Sequence, residues 1–513
     1  MTPRSLLYIP VLCIVAACSA EQPQVLHFQP DNEEERRYQF VSTSHISSRD
    51  AHDGEHSERI QHTEFKTYRV SQRDADSVQL NVQPDYLHAQ ADSGVAFGSV
   101  LGATTEADRV QLGTLAQGRD IEISFAEGRL LHASPEAYTR ARLLLTGTLN
   151  QIQEVLAQPG LVSGMALEAG ASRTIKENRP EGVPGFSLTL GEVRQHDASF
   201  TIEGDTDSGQ VYGRMWIDRE TGWLNRAGVV LISSFRDDGY QGEIRTIASI
   251  TQAEWPYAEL MEHSLTDVPI DFSPQAEDLD HLVTATEESI FAESQGTLQL
   301  NGDRFTLTYS HPLEEADEAG QFSFTQMQAF DEQGELLDLE LQALRPYSYH
   351  DGDQVLTIGE VFPLGWENIQ ANLDQVHSIE AEVQWFPQEL QLIPIDVPQQ
   401  GSSELEHGNA RARLQATENP REFDLYLYPT QHKLFGYQVY GAESGVMHAL
   451  GFEGGPDWLN EREREVLNVL EHGEFPTHLS LQFRNEVPQQ LRLVAFSIEQ
   501  EAKAQQKVRF AVD

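Results

Sequence analysis

Alternation constrains this chain more than any other feature. From Tyr38 the run YQFVSTSHI, then RIQHTEFKTYRV and SVQLNV, places apolar residues on every second position, so that Val78, Leu80 and Val82 share one face. The same period returns in SLTLGEV, ASFTIEG, QVYGRMWID, WLNRAGVVLISSF and GEIRTIASITQAE. Successive side chains on a strand point to opposite faces, so each run has one face to bury and one to leave in water, the pattern of antiparallel sheets. A chain written this way folds as mainly β.

One helix interrupts the meander. Ser134 is an N-cap, Pro135 sits at the tolerated first helical position and Pro159-Gly160 is a stop, which predicts a helix from Pro135 to about Ala157. Ala137, Ala141, Leu144, Leu145, Thr148, Ile152, Val155 and Leu156 form its apolar stripe. Strands, one long helix, then more strands predict an α+β N-terminal half over residues 38–256, a curved antiparallel sheet around that helix. In the first hairpin, Asp53-Gly54 reads as a two-residue turn. That register sets His45 opposite His62 with His56 on the same side, a candidate transition-metal site because imidazole nitrogens are good ligands. The solvent-facing side of a hairpin accounts for the same residues without a metal. Asp205-Thr206-Asp207-Ser208-Gly209 starts like a calcium loop, but Trp216 stands where a bidentate Glu is needed, and the stretch reads as a hairpin turn.

From about Trp255 to Asp280 the sequence turns acidic and proline-bearing, a linker. Beyond it TLQLNGDRFTLTY predicts a hairpin with Asn301-Gly302 at its tip, and a second hairpin is expected around Gln333-Gly334. Pro387-Gln388-Glu389-Leu390 matches Pro488-Gln489-Gln490-Leu491, and RFTLTY from Arg304 matches EFDLYLY from Glu422. The repeat predicts two tandem β-sandwich-like units, residues 278–400 and 405–513. The second carries an inserted helix in PDWLNEREREVLNVLEHG, opened by Pro456 or Asp457 and closed by Gly473. Trp458, Leu459, Val466, Val469 and Leu470 are expected to pack onto its own sandwich.

Charge narrows the function classes. The chain has 35 Lys and Arg against 81 Asp and Glu, a formal charge of −46. Without clustered basic residues it is not built to hold nucleic acid or to be drawn to anionic headgroups. With 39% hydrophobic and 9% aromatic residues it can still bury cores. No Gly-x-Ser-x-Gly elbow, phosphate loop, dinucleotide fingerprint or His-Glu-x-x-His is present. No catalytic residue is assigned and no cofactor is expected. A carboxylate pair cannot be picked from 81 acids, so an envelope hydrolase with a carboxylate site stays open as an alternative.

The first residues, MTPRSLLYIPVLCIVAAC, set one basic residue before an apolar run from Leu6 to Val15, too short for a membrane span of roughly 20 residues. Val15-Ala16-Ala17-Cys18 resembles the lipobox of bacterial lipoproteins. The resemblance implies cleavage of residues 1–17, acylation of Cys18, and a lipidated tether over residues 18–37 that anchors the protein to the lipid bilayer. Ser19 after the cysteine resembles the outer-membrane default of that family. The chain has two cysteines, and the other, Cys13, lies inside the segment to be removed, which leaves no pair for a disulfide and fits a thiol kept for acylation.

The run Gly213-Arg214-Met215-Trp216-Ile217-Asp218-Arg219-Glu220-Thr221-Gly222-Trp223-Leu224 resembles the G-x-hydrophobic-W-hydrophobic-D-x-x-T-G hairpin of the LolA/LppX-like half-barrel lipoproteins and carriers. That family curls a sheet around a helix and can shelter acyl chains. The expectation is an envelope lipoprotein acting as a non-catalytic binding or scaffold protein, with a protein or glycan partner and no nucleic acid. The alternative is a lipid or lipoprotein carrier that uses an N-terminal half-barrel.

Overall fold

The computed structural model describes residues 24–50, 54–92, 96–97, 106–125, 130–133, 151–175, 185–194, 196–206, 209–237, 240–255, 265, 290–292, 294–312, 320–344, 346–351, 354–407, 410–428, 433–439, 446–451, 455–470, 477–484, 486–498 and 501–512. Cys18 and residues 134–150 of the expected helix lie outside these.

The fold is mainly β, and its N-terminal half is a half-barrel. The first strands are β1 (Glu35–Asp50), β2 (Gly54–Arg73), β3 (Ser77–Ala91) and β4 (Ala96–Phe97). Helix α1 (Glu106–Ala116), β5 (Arg119–Ser124), β6 (Leu130–Ala133) and α2 (Gln151–Leu156) follow. Strands β7 (Ser172–Ile175), β8 (Phe186–Val193), β9 (Asp197–Thr206), β10 (Gly209–Asp218), β11 (Leu224–Asp237) and β12 (Tyr240–Gln252) complete the module. They form one sheet in the order β6-β5-β3-β2-β1-β12-β11-β10-β9-β8-β7, with β4 on β3. The first and last long strands, β1 and β12, lie side by side at its centre. Bulges at Phe65/Lys66, Val70/Gln72 and Trp216/Ile217 sharpen its twist, which is how so wide a sheet curls.

The concave face is filled by the chain itself. Ile152, Val155 and Leu156 of α2 are buried against Phe40, Phe200, Met215, Ala227 and Ile250 of the sheet. The tether expected over residues 18–37 ends sooner than its composition implies: Leu26 and Phe28 are fully buried in this core. Leu26 N–H donates to Met165 O (2.9 Å), and Gln29 N–H donates to Thr221 O (2.8 Å). Residues 24–29 therefore form a strap across the open side of the sheet, held by alternating apolar side chains within a polar sequence.

The Asp-x-x-Thr-Gly turn explains itself. Asp218 Oδ1 accepts from the N–H of Glu220 (2.9 Å), the N–H of Thr221 (2.8 Å) and the Thr221 hydroxyl (2.9 Å). Gly222 has φ 77°, and a Cβ there would lie 2.4 Å from His27 O on the strap. Glycine is thus demanded both by the turn and by the strap crossing it.

A second module holds β13 (Gln295–Asn301), β14 (Arg304–Pro312), β15 (Gln321–Phe330), β16 (Glu340–Ala343), β17 (Tyr347–Asp351) and β18 (Gln354–Leu364). Helix α3 (Trp366–Asn372) and β19 (Ser378–Phe386) follow. The Asn301-Gly302 hairpin forms as expected, pairing Asn301 with Arg304. Around Gln333-Gly334 there is a turn with one bridge, Phe330 to Leu336, but β15 takes β19 as its partner.

The third module is a sandwich made of β20 (Gln388–Asp396), β21 (Ser402–His407), β22 (Ala410–Ala416), β23 (Glu422–Tyr428), β24 (Lys433–Val439), β25 (Val446–Gly451), helix α4 (Glu461–Leu470), β26 (Thr477–Phe483) and β27 (Gln490–Ile498). One sheet is β20-β27-β24 and the other β21-β22-β23-β26-β25, with Leu414, Leu425, Leu481 and Leu493 buried between them. The last strand, β28 (Ala504–Ala511), returns to the second module beside β19. The sheets therefore do not divide at residue 400. The two repeated segments, β20 and β27, pair with each other, Ile395 opposite Leu491, instead of closing separate units. Strands of like pattern make good neighbours, and sequence spacing alone does not reveal which pair they choose.

Candidate functional site

The half-barrel is the centre of the molecule, and each of its faces does something different. On the convex face α4 docks across β10 and β11. The apolar residues expected to pack down do so, but onto the half-barrel and not onto their own sandwich: Leu459, Val466, Val469 and Leu470 are buried against Val41, Trp216, Val230 and Ile247. The helix opens at Asn460 rather than at Pro456 or Asp457, because Asn460 and Glu463 form a capping box. Asn460 Oδ1 accepts from Glu463 N–H (2.9 Å), and Glu463 Oε2 accepts from Asn460 N–H (2.8 Å). Arg245 of β12 pairs with Glu463 and donates to Trp458 O (2.8 Å). Arg226 of β11 donates to Leu470 O (2.7 Å) and lies 4.1 Å from the Trp216 ring. The last carbonyl of α4 is thus satisfied by Arg226 of another module, a cation matching the negative end of the helix dipole, while at the other end Arg245 holds the capping-box Glu463 in place.

The second module docks on the same convex face at β2 and β3. Phe65, Tyr86 and Phe362 pack ring to ring at 4.9–6.1 Å. Asp303, at the tip of the β13–β14 hairpin, accepts from Tyr86 Oη (2.6 Å) and lies 3.0 Å from His88 Nδ1. Although burial works against the imidazolium, hydrogen bonding and charge from Asp303 leave the His88 pKa above its ordinary value. Asp85 accepts from the Thr67 hydroxyl (2.5 Å) and sits 3.7 Å from Arg37, yet burial outweighs both and pushes its carboxyl up to about 6.

The concave face carries a buried charge cluster above the apolar floor. Lys66, on the inner side of β2, contacts Glu154 of α2 and lies 3.4 Å from Glu64. Arg119 Nη2 is 3.1 Å from the other oxygen of Glu154, and Lys66 Nζ stands 4.2 Å over the Phe40 ring. Next to them Gln153 Nε2 donates to Val41 O (3.1 Å) and Ser249 O (2.9 Å). Two cations and two carboxylates balance inside the fold. Each carboxylate faces a cation, an arrangement that ties α2 to the sheet. Sequence reasoning missed this cluster because Glu64, Lys66 and Glu154 look like ordinary polar positions; the one hint was a Lys on the buried parity of its strand.

The three candidate histidines are not brought together. In the observed register Ser42 faces His62, Ser48 faces His56 and His45 faces Arg59. The turn therefore spans three residues between Asp50 and Gly54 and not two, so His45 falls on the convex face while His56 and His62 lie on the concave one. His45 stands between Arg59 and Arg245, and cations on both flanks disfavour a metal ion. His62 is buried beside Glu64 (3.9 Å). Among the described residues no three His, Cys, Asp or Glu side chains group as a metal site. His56 lines a groove of about 740 Å³ at the turn end of the sheet, together with Ser48, Ser57, Phe235 and Gln241.

No protein-family model and no curated protein matches the chain. Among solved structures, one of lipid–protein interactions in lipovitellin aligns over 43% of this chain and 25% of its own, at 10% identity and a TM-score of 0.28. This chain thus spans about a quarter of that one. DynF from the dynemicin biosynthesis pathway of Micromonospora chersina aligns over 45% of this chain and 85% of its own, at 8% identity and a TM-score of 0.14. Overlaps this loose carry no functional argument. Among the described residues no helix is long and apolar enough to cross a membrane.

Proposed function

We propose that the protein is an acylated component of a bacterial cell envelope, tethered to the outer membrane through Cys18, that works as a non-catalytic binding or scaffold protein. One observation carries the reading: the described concave face of the half-barrel is filled by the chain's own strap and helix, while two further modules dock on its convex face. A body packed in this way presents fixed surfaces and polar grooves. Acylation supplies the attachment, since each buried methylene contributes about 0.8 kcal/mol and two anchoring signals suffice for stable membrane binding. The partner belongs to the polar classes, protein or glycan, because the rim groove is lined mainly by hydroxyl, amide and imidazole groups. Cys18→Ser is expected to move the protein from the membrane to the soluble fraction without changing its melting temperature. Fractionation unchanged by that substitution would remove the anchor from the reading.

A carrier of lipid or of lipoproteins is the second reading, favoured by the half-barrel form and its apolar floor. It requires an acyl chain to enter where Ile152 and Leu156 now pack.

A further inference from the structure

Helices α1 of the half-barrel and α3 of the second module meet around Leu87, Leu112, Leu115 and Trp366. The Trp366 indole N–H donates to Pro84 O (3.1 Å), and Gly365 N–H donates to Asp85 O (2.9 Å), so the start of α3 is tied to β3, the strand on which α1 also packs. Above this contact runs a groove of about 730 Å³. Its size lies within the range of small-molecule sites, and module junctions are where such sites gather.

The lining is rich in amides: Gln83 and Gln117 on the half-barrel side, Asn368 and Gln370 on the other. None of these four side chains holds a hydrogen bond within the described protein, so their donors and acceptors are available to a ligand. Charge is balanced, with Arg109 against Glu367, although the chain as a whole is formally −46. A free anion or cation therefore has no strong complement here. A primary amide presents two donors and one acceptor oxygen, the complement of a vicinal diol, whose hydroxyls both give and accept. Val110, 56% exposed, adds an apolar patch for the C–H face of a ring. A peptide strand would need an open sheet edge for its main-chain bonds, and helix walls have spent theirs.

We propose that the α1/α3 groove binds a neutral oligosaccharide. The proposal rests on the binding-protein reading but not on the lipid anchor. The test titrates the full chain in detergent with maltotetraose, cellotetraose and chitotetraose, by saturation-transfer NMR and calorimetry, with tetra-alanine as the peptide control. The expected result is binding of at least one tetrasaccharide at up to millimolar concentration. Gln117→Ala combined with Asn368→Ala is expected to weaken it at least tenfold with an unchanged melting temperature, since neither amide holds the fold together. Absence of binding by all three sugars, binding indifferent to the double substitution, or binding of tetra-alanine in their place overturns the proposal. Membrane fractionation is unaffected by any of these results, so failure of the groove and failure of the tethered reading are separable.

Discussion

Gly228 gives the sharpest test of how the modules are joined. It lies on the convex side of β11 opposite Arg214, and a Cβ there would stand 1.8 Å from Leu470 Cδ1 and 3.4 Å from Leu467 Cδ2. Leu470 is fully buried, so its side chain has little room to turn away. Gly228→Ala should therefore act as overpacking, about 1–3 kcal/mol, felt by α4. Leu470→Ala alone should cost about 2–5 kcal/mol by leaving a cavity. In the double variant the new methyl enters the vacated space, so the two effects should fall short of their sum by about 1–2 kcal/mol. Native-state hydrogen exchange of amides 461–470 reads local opening of the helix without assuming that the whole chain melts in one step. Additive effects, or amide protection unchanged by Gly228→Ala, would show that α4 does not rest on β11 as described.

Three further outcomes follow from the charged groups. Lys66→Met leaves Glu64 and Glu154 without their shared cation and is expected to destabilise the half-barrel by about 3–5 kcal/mol in chemical denaturation; a loss below 1 kcal/mol would mean the cluster is solvated. Asp85 has a folded pKa raised from 3.8 to about 6, so the stability tied to its neutral form is present below pH 3.8 and lost as pH rises through 6. Asp85→Asn keeps the acceptor for Thr67 and should be more stable than the parent at pH 7 by up to about 3 kcal/mol, an advantage that vanishes near pH 4; an advantage independent of pH would contradict the assignment. His88, with its pKa raised by Asp303, contributes stability that is present below the ordinary histidine pKa and lost as pH rises through the higher folded value. Asp303→Asn should therefore loosen the contact between the first two modules more at pH 6 than at pH 8, as followed by exchange of the β3 amides; an equal effect at both would remove His88 from the interface.

Much of the fold could be read in the sequence because burial on one face writes itself as alternation. Val78, Leu80 and Val82 share a core face as expected. Phe200 and Ile202 on β9 and Met215 on β10 lie in the same core. Register was less legible: a three-residue turn in place of a two-residue one moved His45 to the opposite face, since side chains alternate with period two. Partner choice was not legible at all. The apolar stripe of α4 names Leu459, Val466, Val469 and Leu470, but nothing local says that the matching surface is Trp216 and Val230, more than 200 residues earlier. Helices α1 and α3 leave no clear mark in the sequence because each buries two apolar residues among those described, too few to set a period. The strap leaves none because Leu26 and Phe28 stand among polar neighbours.

In the proposed function the described part of the half-barrel is packed with its own side chains and takes up no acyl chain. Binding of a fluorescent fatty acid to the full chain tests it most directly, measured together with the stability of Ile152→Ala and Leu156→Ala. Both side chains are buried in the half-barrel core, so each truncation should cost about 2–5 kcal/mol, and the parent should bind no acyl probe. Saturable binding of the probe, weakened by either substitution with little change in stability, would contradict the account and put the carrier reading in its place.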